Sequence, residues 1–213
     1  MGSHKGVGGK TMTWIIITLI LLAAFGPVLW LVPSKRDRQL SAVRDQARRE
    51  GLVVELRKVP KLNPSADERV SAGGRVKEPV VDCTAYIHTL GRRLSYLPSW
   101  RLLRGQDAHN SRGEDHRQPR PGWAFDPEFK PDLAAGRVAF DASLAGLEHL
   151  FQGMPADVVA VELGVRSLTV YWLESRGAER ATVTALSELM SAADDRLRAA
   201  DDQFQPLPDD DDS

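Results

Sequence analysis

The most regular feature of the chain is an unbroken apolar run near its start, WIIITLILLAAFGPVLWLV, residues 14–32. Twelve of its nineteen side chains are Ile, Leu, Val or Phe, and none is charged. A helix of that length rises roughly 28 Å, close to the roughly 30 Å hydrocarbon core of a bilayer. Insertion at about −0.3 to −0.6 kcal/mol for each such residue outweighs the cost of Thr18, Gly26 and Pro27. Trp14 and Trp30 stand near opposite ends, where amphipathic rings anchor a span at the interface. The run exceeds the apolar core of a secretion signal and lacks a clear small-residue cleavage site before a polar start. The pattern predicts a flexible leader over 1–13 and a transmembrane helix over 14–32.

Beyond it the period changes. Residues 33–50 contain SKRDRQLSAVRDQARRE, with Leu40, Val43 and Ala47 on one helical face, Ser34 as a cap and Gly51 as a stop, which predicts a basic juxtamembrane helix. Runs rich in β-branched residues predict strands over 52–59, 80–90 and 100–104, and a short one in GWAFD. Across 141–155 the spacing predicts a helix capped by Asp141, ended by Gly153 and facing inward through Leu144, Leu147 and Phe151. Residues 156–177 predict a hairpin, with Val159, Val161 and Leu163 on one face, GVRS as the turn and Leu168, Val170 and Trp172 returning. A last helix over 178–200 carries Val183, Leu186, Met190, Ala193 and Leu197 at three- and four-residue intervals. Strands joined by loops, then helix, hairpin and helix, give an α+β domain over 51–200: a small antiparallel sheet with helices packed on one face. The stretch 105–120 has Ala108 as its only apolar side chain and reads as a mobile loop; 201–213 reads as an acidic disordered tail.

Charge adds a direction. The net charge of −1 argues against a nucleic-acid partner, which requires a basic footprint. The total hides a gradient: residues 34–61 hold nine Lys or Arg against four acids, and residues 174–213 hold four Arg against eleven acids. Lys5 and Lys10 precede the apolar run, whereas Lys35, Arg36, Arg38, Arg44, Arg48 and Arg49 follow it, so the charge rule places the N-terminus outside and the C-terminal domain in the cytoplasm. Initiation at Met12 would sharpen that asymmetry. The same six cations are candidates for contact with anionic lipids, at about 1 kcal/mol for each near a charged leaflet. A solvated stalk obeying the topology rule fits them equally well.

Reactive chemistry is sparse. The leader holds GVGGKT, but a phosphate loop requires glycine where His4 stands, and a strand before it. Cys83 is the only cysteine, so no intramolecular disulfide or cysteine-based zinc site is available. Cys83 and His88, five residues apart on one strand, fall on opposite faces and form no dyad. His109 and His116 with Asp107, Glu114 and Asp115 read as a chance cluster in the polar loop. No catalytic motif, cofactor site or metal site emerges, and an enzyme with a pocket invisible to sequence remains an alternative.

The stretch FGPVLWLVPSKRDRQL, residues 25–40, resembles the YajC accessory subunit of the bacterial preprotein translocase. In that family an N-terminal span ends in an apolar run, a proline and a basic cluster, positions held here by Pro33, Lys35, Arg36 and Arg38. The resemblance covers about the first fifty residues, and the soluble part is about twice what the family carries. It implies a single-span protein of the bacterial inner membrane whose cytoplasmic domain binds a protein complex such as the translocase, and it transfers no functional residue. A lipid-proximal regulatory or sensory module built on 33–50 is the alternative.

Overall fold

The computed structural model describes residues 14–21, 34–62, 64–65, 67–70, 73–105, 119–175 and 178–205. The chain divides into two compact units, 1–39 and 40–213. In the first, residues 14–21 are helical with exposed side chains, Trp14 included. The predicted leader, the remainder of the predicted span and Trp30 lie outside the described residues. Among the described residues no helix is long and apolar enough to cross a membrane.

Helix α1, Lys35–Arg49, starts and stops where the local chemistry dictates. The Ser34 hydroxyl accepts the Asp37 N–H at 3.1 Å, and the Asp37 carboxylate accepts the Ser34 N–H at 3.1 Å. This reciprocal pair satisfies amide groups that a helix start leaves free. At the other end Gly51 takes φ +82, and the Leu52 N–H reaches the Ala47 carbonyl at 3.0 Å. That left-handed glycine closure returns the chain into a strand. Val43 and Ala47 are buried and Leu40 is half-buried, so the predicted inward stripe is the packed one.

Six strands follow: β1 Val53–Pro60, β2 Val80–Thr89, β3 Trp100–Arg104, β4 Trp123–Phe125, β5 Val158–Leu163 and β6 Ser167–Trp172. They form one sheet in the order β1-β2-β6-β5-β3-β4, antiparallel at every pairing. Three further helices are α2 Leu133–Gly146, α3 Glu148–Gly153 and α4 Arg180–Asp202. Tyr86, Leu102, Val170 and Trp172 on one sheet face join Val43, Phe140, Leu150 and Leu186 from the four helices in a single buried cluster. The other face carries a smaller cluster of Val59, Cys83, Ala85, Leu103, Ala160 and Tyr171, with no helical residue in it. The fold is therefore α+β with its helices on one side of the sheet, as the element order implies.

Several local readings change. The helix predicted over 141–155 is two helices, beginning eight residues earlier at Leu133. Asp132 is the cap, accepting the Ala134 N–H at 2.9 Å, and Asp141 lies inside α2, paired with Arg137 at 2.8 Å. The early start is masked in sequence by Gly136, which sits in a kink at φ −119, ψ 20, and Leu147 at φ −95, ψ 2 divides α2 from α3. The hairpin pairs Leu163 with Leu168 and Val161 with Val170, but a bulge between Val158 and Ala160 shifts the alternation. One extra residue in a strand reverses the side chains beyond it, so Val158 joins the helix-side core and Val159 packs on the other face.

Helix α4 carries the five predicted core residues, all at most 1 % exposed, but continues through Asp202. Asp201, read as the start of an acidic tail, is buried instead. Its carboxylate accepts the N–H groups of Ser95, Tyr96 and Leu97 at 2.8–3.1 Å. It thus tethers the β2–β3 connection, whose amides need partners away from water. Most of the predicted loop 105–120 and residues 206–213 lie outside the described residues.

Candidate functional site: a cleft between the first helix and the sheet

The site begins with a constraint on the main chain after β6. Asp157 accepts the Trp172 indole N–H at 2.5 Å and the Ser175 N–H at 2.8 Å, and its carbonyl accepts the Leu173 N–H at 3.2 Å. Held on both sides, Glu174 adopts φ +50, the only positive φ at a non-glycine among the described residues. A backbone in that region costs on the order of 1 kcal/mol and persists where its surroundings impose it.

The strained residue is also buried and charged. Glu174 is 2 % exposed, and its carboxylate accepts the Tyr86 hydroxyl at 2.5 Å. Arg44 of α1 donates from Nε to both oxygens at 3.1 Å and from Nη2 to Oε2 at 2.5 Å. The same Nη2 reaches the Thr84 hydroxyl at 3.2 Å. A buried carboxylate is tolerated when its lone pairs are taken up and its charge is paired, and both conditions are met here. The hydrogen bonds it donates to Glu174 hold the Arg44 guanidinium above its ordinary pKa; burial, then the bond to Glu174, pushes the Tyr86 phenol up.

A cleft of about 380 Å³ opens over this group, bordered by Leu40 and Arg44 of α1, Leu56 and Lys58 of β1, and Thr84 and Leu173. Lys58 and Asp82 form an exposed pair at 3.5 Å on its rim. Apolar Leu40, Leu56 and Leu173 thus surround a fixed, charge-balanced polar floor. Such a surface suits recognition, with an apolar contact area and few oriented polar groups. Cys83 also borders the cleft: burial, then the Asp82 charge, pushes its thiol up to about 11, and Sγ donates to the Arg57 carbonyl at 3.4 Å.

The six cations singled out in sequence separate into two groups. Lys35, Arg36, Arg38, Arg48 and Arg49 are exposed on α1, with Arg48 paired to Asp45 at 3.0 Å. Arg44 is committed to Glu174. Cys83 and His88 lie on opposite faces of β2, as the alternation requires; His88 Nε2 stands 3.6 Å from Asp194 and lacks a hydrogen bond. Sequence reasoning missed Glu174, Tyr86 and Thr84. The available signal was a single acid ending the apolar strand SLTVYWLE, which net-charge counting absorbs into the acidic C-terminal part.

A second ionic cluster occupies the opposite face. Arg101 pairs with Asp126 at 3.0 Å and Glu162 at 2.7 Å, and stacks 3.7 Å over the Phe129 ring. Tyr171 donates to Glu162 at 2.7 Å; burial, then this bond, pushes its hydroxyl up to about 12. These groups satisfy one another and pin the short β4 end of the sheet. Among the described residues no three His, Cys, Asp or Glu side chains are grouped to hold a metal ion. No family model, curated protein or solved structure matches the chain.

Proposed function

We propose that the chain is a single-span membrane protein whose cytoplasmic α+β domain binds another membrane-associated protein. Residues 14–32 supply the span, and their sequence pattern is the support for it. The observation that carries the reading is the locking of α1 into the domain by Arg44 and Glu174, together with the burial of Val43 and Ala47. Only Pro33 and Ser34 separate the apolar run from α1. The helix that follows the apolar run in sequence is thus built into the domain's core through Val43 and Ala47. A short tether confines the domain near the bilayer and raises its effective concentration for a partner there. The resemblance of 25–40 to the YajC accessory subunit suggests the preprotein translocase as the complex.

The test is site-specific photo-crosslinking in cells, with a photoreactive residue in place of Leu173 at the cleft. Adducts with an integral membrane protein are expected, and deletion of 14–32 is expected to abolish them. Identical adducts with and without 14–32, or none in either case, overturn the reading.

The lipid-proximal reading draws on the exposure of Lys35, Arg36, Arg38, Arg48 and Arg49.

A further inference from the structure

Strand β1 is an edge of the sheet: it pairs with β2, and among the described residues no strand covers its other side. The ladder shows which of its groups point outward. The Lys61 N–H donates to the Pro79 carbonyl at 2.9 Å, one step beyond the Pro60–Val80 position, and the Arg57 carbonyl faces the Cys83 thiol on β2. In an antiparallel ladder main-chain bonds alternate by residue. Odd-numbered residues of β1 therefore bond to β2, and Val54, Leu56 and Lys58 turn their N–H and C=O groups away from the sheet. Pro60 falls at the next outward position, where its missing N–H costs no ladder bond. Two apolar side chains stand exposed on this edge beside Glu55, Arg57 and Lys58: Leu56 is 74 % exposed and Val53 48 %.

We propose that β1 is a self-association surface, which joins a second copy of this chain in an antiparallel, two-fold arrangement centred on Leu56. The charge pattern selects both the partner and the register. Keeping the helices of both copies on one side of a continuous sheet requires odd residues to oppose odd ones. With Leu56 opposite its own counterpart, Glu55 faces Arg57 of the second copy and Arg57 faces its Glu55, and Val53 faces Val59. A shift of one residue toward Arg57 sets Arg57 against itself, and the opposite shift sets Glu55 against itself. Like charges directly opposed destabilise a strand pair, whereas opposite charges and paired β-branched side chains support it. Of these three registers only the Leu56-centred one is free of like-charge opposition, and it also gives the exposed Leu56 an apolar neighbour. Glu55 and Arg57, already 2.7 Å apart within one copy, stand on the correct face for the exchange. This inference goes beyond the tethering function and does not rest on it.

The experiment is sedimentation equilibrium of the full chain in density-matched detergent. A reversible dimer is expected. Glu55→Arg and Arg57→Glu, each introducing two like-charge oppositions, should weaken it by about tenfold or more, and the double exchange should restore it. In parallel, Leu56→Cys should form an intermolecular disulfide under mild oxidation, because paired Cα atoms at the axis lie about 5.5 Å apart. Both variants are made in a Cys83→Ala background, because Cys83 stands directly opposite position 57 on β2 and would capture a cysteine placed there; in that background Arg57→Cys should form no intermolecular bridge. A monomer throughout, or a dimer indifferent to both charge reversals, as association through residues 14–32 produces, overturns the proposal. Cross-linking through Arg57→Cys in place of Leu56→Cys overturns the register.

Discussion

Arg44 and Glu174, 130 residues apart, meet in a three-bond ion pair that fastens the first helix to the strained end of the last strand. The pair differs from a surface salt bridge because Glu174 is almost wholly removed from water. Removing one partner of a buried pair strands the other charge, at a typical cost of roughly 3–5 kcal/mol. Arg44→Ala is therefore expected to destabilise the domain by about 3 kcal/mol, reduced toward the low end because the Arg44 side chain keeps 28 % exposure. Tyr86→Phe, which removes a single donor, should cost about 1–2 kcal/mol. Denaturant titration of the full chain with a tryptophan fluorescence readout measures both; equal stability of Arg44→Ala and the parent contradicts the structural role assigned here.

The acid limb of stability should depend on Asp201. Burial acts to raise its pKa, but the amides of Ser95, Tyr96 and Leu97, assisted by Arg92, hold it below the ordinary 3.8. A carboxyl with a depressed folded-state pKa contributes stability that is present above the unfolded value and lost as pH falls through the folded one. Asp201→Asn should thus lower stability by roughly 1–3 kcal/mol at neutral pH. The difference from the parent should shrink steadily below about pH 4. Melts across pH 2–7 test this, and a difference that grows on acidification contradicts it.

Cys83 should resist modification in the native state. Its burial and raised pKa leave almost no thiolate at pH 8, and the thiolate is the reacting form. Alkylation should be undetectable on the timescale of complete modification in denaturant. Rapid labelling of native protein would show that the second sheet face opens readily.

If lipid headgroups engage α1, the five exposed cations are the contact. Replacing Lys35, Arg36, Arg38, Arg48 and Arg49 together by Gln should strip anionic lipid from the full chain released from mixed micelles, read by native mass spectrometry. Arg44 is left in place, because its loss tests the fold. Unchanged lipid retention in the five-fold variant rules the lipid reading out.

The features most legible in sequence were those fixed by local chemistry. Ser34 and Gly51 delimit α1, GVRS turns the hairpin, and the stripe from Val183 to Leu197 faces the core of α4. Each depends on residues within a few positions of one another. The cleft was illegible for the opposite reason: Arg44, Tyr86 and Glu174 are distant in sequence, and the partner of a charged side chain has no periodic signature. Arg44 looked like one of six equivalent cations until Glu174 singled it out. Asp201 was misread in the same way, since an acid followed by more acids resembles a tail until three distant amides claim its carboxylate. The bulge at Val158–Ala160 lies between these cases, a one-residue irregularity that strict alternation conceals.

Residues 14–32 are proposed to hold the domain at a bilayer. Alkaline extraction of cell membranes carrying the full chain, followed by immunodetection in pellet and supernatant, tests that claim directly. Retention in the pellet, abolished by deletion of 14–32, is the predicted result. Release of the intact chain into the supernatant contradicts it.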